Sequence, residues 1–331
     1  MKIRALISLL LILLASCDHQ RLNFDKGIIP PVAVNFSKVN SIYDDYNSDL
    51  DIIWNWKFFS LIFSTNRNSS GNNFDFVLYD CSAESNLLTG EFEIGADRRT
   101  YSMVNAINSP DNELGPYFSR EPEYYGYGFK AGDAARFFYT SDKNGNNDIY
   151  FTYYDVVDND FVLTGDPAEL TGINTEFNEG YMTIHNGETA ARETVYFTSD
   201  RDNDYDIYRA VSEENRLIDQ SPGLTVNKVE QLSSSADDKC PYITGNMMVF
   251  TSDREGGFGG FDLWFSLYDG QGWSAPENFG ENINSEYDEY RPVLISTDKE
   301  GFLNDMMIFS SNRPGGKGLF DLYYVGIIRR N

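Results

Sequence analysis

Five times the sequence ends one apolar stretch on a basic residue and opens the next on an aspartate: Arg67 and Asp75, Lys143 and Asp148, Arg201 and Asp206, Arg254 and Asp262, Arg313 and Asp321. The step between the charges is eight residues in three copies and five in the other two. A constant pair around a variable loop predicts a structural clamp, with the two charges meeting across the base of a hairpin. Other residue types could do more. Asp200, Asp202, Asp204 and Asp206 are spaced like ligands for a hard cation, and Asp142 to Asp148 more faintly so, but neither stretch has the glycine at position six or the distal glutamate of an EF-hand loop. Both sit where the repeat places its turn, so the expectation is no metal and no cofactor. Nucleophilic catalysis is poorly served: the histidines are His19 and His185, and no Gly-x-Ser-x-Gly elbow is present. The 51 acidic residues leave room for a glycosidase pair of carboxylates, although no acid stands out from its copies. The expectation is therefore no catalytic residue.

The elements around these residues repeat. VFTSDREGGFGGFDLWFS (249–266) and IFSSNRPGGKGLFDLYYV (308–325) have further copies at 62–80, 138–155 and 196–210. Each reads as a hairpin whose arms are β-branched and aromatic and whose turn is built from Gly, Asn and Asp. A second motif precedes each hairpin: VNSIYDDYNS (39–48), INSPDNELGP (107–116), INTEFNEGY (173–181), LSSSADDKCP (232–241) and INSEYDEYRP (283–292). Self-similarity at periods of 53 to 76 residues signals a propeller or solenoid. IIPPVAVNFS (28–37) stands alone before the first unit, and little chain follows the last hairpin. The expected fold is all-β: a five-bladed propeller of four-stranded blades over residues 28–331, closed by an N-terminal strand that completes the last blade. Its two prolines suit an outer edge, where no ladder donor is needed.

Formal net charge is -25, which excludes nucleic acid and bare anionic headgroups as partners. A composition 41% hydrophobic and 15% aromatic is too rich for disorder. The first residues, MKIRALISLLLILLASC, set Lys2 and Arg4 before an apolar run and small residues, the pattern of a secretory signal over 1–16. Leu14-Ala15-Ser16-Cys17 resembles the lipobox of bacterial lipoproteins. That resemblance implies lipidation at Cys17, a tether over 17–27, and a place in the cell envelope, on the outer membrane, with the membrane reached only through the lipid.

Phe-Thr-Ser-Asp-Arg, a glycine-rich turn and Asp-Leu-Tyr or Asp-Leu-Trp resemble the WD-like β-propeller repeat of the TolB type, as found in envelope proteins of Bacteroidetes. The resemblance implies a non-enzymatic module holding a protein partner in the envelope. The alternative is a propeller that binds or cleaves a glycan, and the state of the central funnel separates the two: aromatic-lined with carboxylates for a glycan, filled for a scaffold. The insertion SREPEYYGYGFKA (119–131) supplies the candidate binding loop, Tyr124, Tyr125, Tyr127 and Phe129.

Overall fold

The computed structural model describes residues 24–55, 57–119, 135–185, 192–214, 216–297 and 301–328. It is a ring of five antiparallel blades with one short α-helix, α1 (Ser102–Ile107), and one 3-10 turn, Ile218–Gln220, among the described residues. The blades are β2 (Asp45–Asn55) to β5 (Phe92–Arg99); β6 (Glu113–Ser119) to β10 (Ala168–Glu169); β11 (Glu179–His185) to β14 (Thr225–Lys228); β15 (Asp238–Thr244) to β18 (Glu277–Asn278); and β19 (Glu289–Ile295), β20 (Asp305–Ser311), β21 (Asp321–Ile327) with β1 (Val34–Asn35). In the second blade β8 (Asp148–Val157) carries both β9 (Asp160–Leu163) and β10.

The ring closes as the orphan segment predicts. Val34 pairs with Tyr324 and Asn35 with Tyr323, so β1 covers the outer edge of β21. Pro30 and Pro31 stand before that strand, where Pro30 accepts from the Gly326 amide at 2.7 Å and needs no donor.

The strands are apolar on both faces because each blade is sandwiched between two others. Five clusters of buried side chains result, one per seam. Phe76 and Phe137 meet between the first and second blades, Phe138 and Phe197 between the second and third, and Tyr196 and Phe250 between the third and fourth. Phe265 and Phe309 meet between the fourth and fifth, and Phe63 and Ile308 across the closing seam. Each fully buried ring of this size contributes about 1.5–3 kcal/mol. Cys81 and Cys240 are buried and unbridged.

The five innermost strands, β2, β6, β11, β15 and β19, surround the axis, each in contact with the next. All five bulge at the same place, and the residue at the bulge takes a left-handed backbone: Asn47, Gly115, Tyr181, Cys240 and Arg291, with φ from 47° to 56°. Only Gly115 is free of Cβ strain there. Its small size also matters, since a Cβ would come within 2.6 Å of the Tyr181 ring.

Candidate functional site

The inner strands begin at the end of the ring where the repeat hairpins turn, because the second strand of each blade runs antiparallel to the first. This end is the mouth of the axis. Each inner strand opens on an acid: Asp45, Glu113, Glu179, Asp238 and Glu289. Their amides donate across the seam to Phe320, Phe74, Asn147, Tyr205 and Phe261 at 2.6–2.8 Å. Their carboxylates turn inward, all but buried, and take the amide of the residue four before, as Glu289 takes Ser285 at 2.8 Å.

Those acids, and not the hairpin aspartates, hold the repeat arginines. Arg67 pairs with Asp45 at 2.5 Å, Arg201 with Glu179 at 3.0 Å, Arg313 with Glu289 at 2.7 Å, and Arg254 with Asp238. Each guanidinium also reaches a backbone carbonyl of the preceding loop: Val39, Ile173, Ile283 and Leu232. The expected clamp across the hairpin base is therefore corrected at every copy. Asp262 caps its own turn at the Phe258 amide, 2.6 Å, and Asp321 does so at Lys317, 2.6 Å. Asp206 pairs with Lys228, Asp148 accepts from Asn146, and Asp75 from Asn68. Lys143 lies 3.7 Å above the Tyr150 ring. The reason is geometric: the arginine follows its strand end toward the buried acid, while the aspartate is taken by nearer donors. These are turn amides for Asp262 and Asp321, turn asparagines for Asp75 and Asp148, and Lys228 for Asp206.

The residue ahead of each acid stitches the blades together. Asp44, Asn112, Asn178, Asp237 and Asp288 accept from the amides of Phe320, Phe74, Asn147, Tyr205 and Phe261 at 2.9–3.1 Å. In their own blades they meet Asn66, Asp142, Asp200, Asp253 and Asn312. Asp142 and Asp200, the aspartates with cation-like spacing, are thus committed to seams. Asp202 accepts from the Tyr208 hydroxyl at 2.6 Å. No group of three His, Cys, Asp or Glu suited to a metal occurs among the described residues.

The stitch carries aromatic rings to the mouth. Phe74, Tyr205, Phe261 and Phe320 come from the hairpins, and Tyr46 and Tyr290 from the inner strands; all are half-buried. Tyr46 lies 4.8 Å from Phe74 and 5.7 Å from Phe320, and Tyr290 lies 5.6 Å from Phe261. Lys239 spans Tyr205 and Phe261, at 4.1 and 4.9 Å, and pairs with Asp237 at 2.7 Å. One residue deeper the axis is filled. The buried Arg291 reaches the Pro116 carbonyl at 2.9 Å, and Tyr181 lies between Asn47 and Tyr290. Asp49 lies further along β2, with one carboxylate oxygen on the Phe118 amide at 2.6 Å. Burial pushes its carboxyl up to about 7, against the pull of Arg291 and of the Phe118 amide.

Sequence reasoning missed this collar. A signal was present: in four of the five copies the residue just before the hairpin aspartate is Phe or Tyr, with Asn147 the exception. The proposed binding loop, Tyr124, Tyr125, Tyr127 and Phe129, lies outside the described residues. The described residues that flank it, Ser119 of β6 and Ala135 of β7 (Ala135–Ser141), lie at the ends of those strands opposite the mouth. Cys17 and the signal segment also lie outside them. His185 ends β11 at the far side, against Tyr268 and Trp273.

No family model matches the sequence, and no curated protein does. Solved structures do match. The α-L-arabinofuranosidase catalytic domain of Coprinopsis cinerea is 10% identical, with 92% of this chain and 97% of that one covered at a TM-score of 0.51. A putative glycoside hydrolase from Bacteroides ovatus is 9% identical, covering 93% and 94%, at 0.52. The exo-β-1,3-galactanase of Phanerochaete chrysosporium is 12% identical, covering 90% and 63%, at 0.53. These likenesses correct the WD-like, TolB-type resemblance, together with the non-enzymatic, protein-holding role drawn from it. The shared string of residues is blade chemistry, since its Asp or Asn, its Arg and its second Asp each serve a seam or a turn. At such low identity the likeness establishes the fold: the five-bladed propeller that these glycoside hydrolases also have.

Proposed function

We propose that this propeller is glycan-active, of the glycoside hydrolase class, and takes its sugar chain at the aromatic mouth. The observation that carries the reading is the collar of half-buried rings at the mouth. Arg291 and Tyr181 plug the axis beneath it, so the funnel is aromatic only at its entrance and the sugar is taken there rather than in a channel. The C–H faces of pyranose and furanose rings bind on aromatic platforms, and Lys239 and Asp237 add polar contacts beside them. The fold of the solved likenesses supports the class. Hydrolysis needs two carboxyl groups flanking the bond. Asp45, Glu179, Asp238 and Glu289 are held by arginines, so the cleaving pair is not assigned to them.

The test uses arabino-, xylo- and galacto-oligosaccharides as probes, with calorimetry for binding and release of reducing ends for cleavage. Tyr46→Ala and Tyr290→Ala are each expected to weaken binding about tenfold, equivalent to about 1.4 kcal/mol. Binding without any release would overturn the hydrolase class and leave a glycan-binding propeller. Binding unchanged in both variants would overturn the mouth as the site.

The location we infer is the outer membrane of the cell envelope, from the lipobox-like Leu14 to Cys17. Cys17→Ser should abolish labelling by a fatty-acid analogue and release the protein from membranes. Unchanged labelling would remove the anchor.

A further inference from the structure

Four of the five inner-strand acids are held by the amide of the residue four before them and by the arginine of the hairpin, and three of those four also take a hydroxyl at the end of the next strand. For Glu289 these are Ser285, Ser311 and Arg313; for Glu179 they are Thr175, Ser199 and Arg201. Asp45 has Ser41, Thr65 and Arg67, and Asp238 has Ser234 and Arg254. The second blade breaks the pattern. Glu113 keeps Ser109, through its amide at 3.1 Å and its hydroxyl at 2.5 Å, but the hairpin supplies Lys143 in place of arginine. That lysine rests on Tyr150. Glu113 is 1% exposed and has no ion pair among the described residues, and the Ser141 hydroxyl, where Ser199 and Ser311 serve the other blades, has no partner there either.

What faces Glu113 makes its charge harder to hold. Asp75 at the start of β4 (Asp75–Ser85) and Asp111 in the loop before β6 both bear on it, and Tyr139 of β7 lies within its field. Burial, with these carboxylates adding to it, raises its carboxyl to about 7, against the Ser109 hydrogen bonds. Its own amide is part of the seam, donating to Phe74 at 2.8 Å.

We propose that the slot left by the missing arginine makes the seam between the first and second blades a pH-sensitive joint, closed when Glu113 is protonated and loosened when it ionises. A group whose folded value is raised binds its proton more tightly when folded. Its full stabilising effect is present below its ordinary range and fades as pH rises through about 7.

The experiment compares the wild type, Glu113→Gln and Lys143→Arg by thermal unfolding from pH 5 to pH 8.5. Differences between variants cancel other titrating groups, Asp49 included. Relative to wild type, both substitutions should gain roughly 2–4 °C between the acid and alkaline ends: the first by removing the charge, the second by restoring the pattern of the other blades. Hydrogen exchange at the Glu113 amide should rise with pH beyond the intrinsic base dependence in the wild type, and not in Lys143→Arg. Parallel melting profiles for all three proteins, or a pH-independent gain in Lys143→Arg, would overturn the proposal. If Glu113→Gln fails to fold, the Lys143→Arg profile and the exchange data decide alone.

Discussion

At the scale of single residues, the repeat is a set of polar groups each given one buried partner. Arg313 shows the choice a guanidinium makes between two carboxylates within its reach in sequence. It selects Glu289, which is fully buried, and is fixed there by the Ser311 hydroxyl and the Ile283 carbonyl. A double-mutant cycle on Arg313 and Glu289 should give a coupling of about 0.5–3 kcal/mol, whereas Arg313 and Asp321 should be additive within about 0.5 kcal/mol. A larger coupling to Asp321 would restore the clamp across the hairpin. Asp49 gives a second prediction at this scale. With a carboxyl raised to about 7, it binds its proton more tightly in the folded state, so wild-type stability falls as pH climbs from the ordinary carboxylate range through 7. Asp49→Asn should therefore be favoured over wild type by at least about 1 kcal/mol at pH 8 and by little at pH 4, by chemical denaturation at the two pH values.

At the scale of elements, the hairpin turns are docking devices as well as connections. Gly318 lies so close to the next loop that a Cβ would fall 2.0 Å from the Tyr43 carbonyl oxygen, and at Gly259 one would fall 2.4 Å from the Glu286 backbone. Gly318→Ala should cost about 1–3 kcal/mol by overpacking that backbone contact, and a thermal melt unchanged from wild type would mean the loop has another resting place. These glycines are legible in the sequence as turn residues, but their contact with the following blade is not, because it depends on how two units stack. The same distinction separates what was read from what was missed. Periodicity exposed the hairpins, the five units and the closing strand, all of which follow from apolar patterning along one chain segment. The aromatic collar left a trace in the Phe or Tyr before four hairpin aspartates. Its convergence on the axis, like the arginine's partner, depends on which of several nearby groups the bulged inner strand brings together, and no local pattern encodes that.

At the scale of the whole molecule, closure couples the two ends of the chain. The β1–β21 pair is short, yet Ile29, Phe36 and Val39 around it are buried in the closing seam with Phe302 and Leu322. Removing residues 28–37 should lower the melting temperature of the entire ring in a single transition. Removing 18–23, which precede the described chain, should leave it unchanged. A wild-type transition after the first deletion would show that the ring holds without its closing strand.

The direction in which that strand runs has a further consequence. From Gly27, which bridges to Phe302 at the far end of the fifth blade, the chain climbs toward the mouth through β1. The first described residues, 24–27, therefore lie at the face opposite the collar, where the Phe24 amide donates to the Leu87 carbonyl. Cys17 is ten residues from Gly27, a reach of roughly 35 Å when extended. An acyl anchor at that position would lay the blunt back of the disc toward the bilayer and turn the collar outward, so that a polymer could be engaged without passing between protein and lipid.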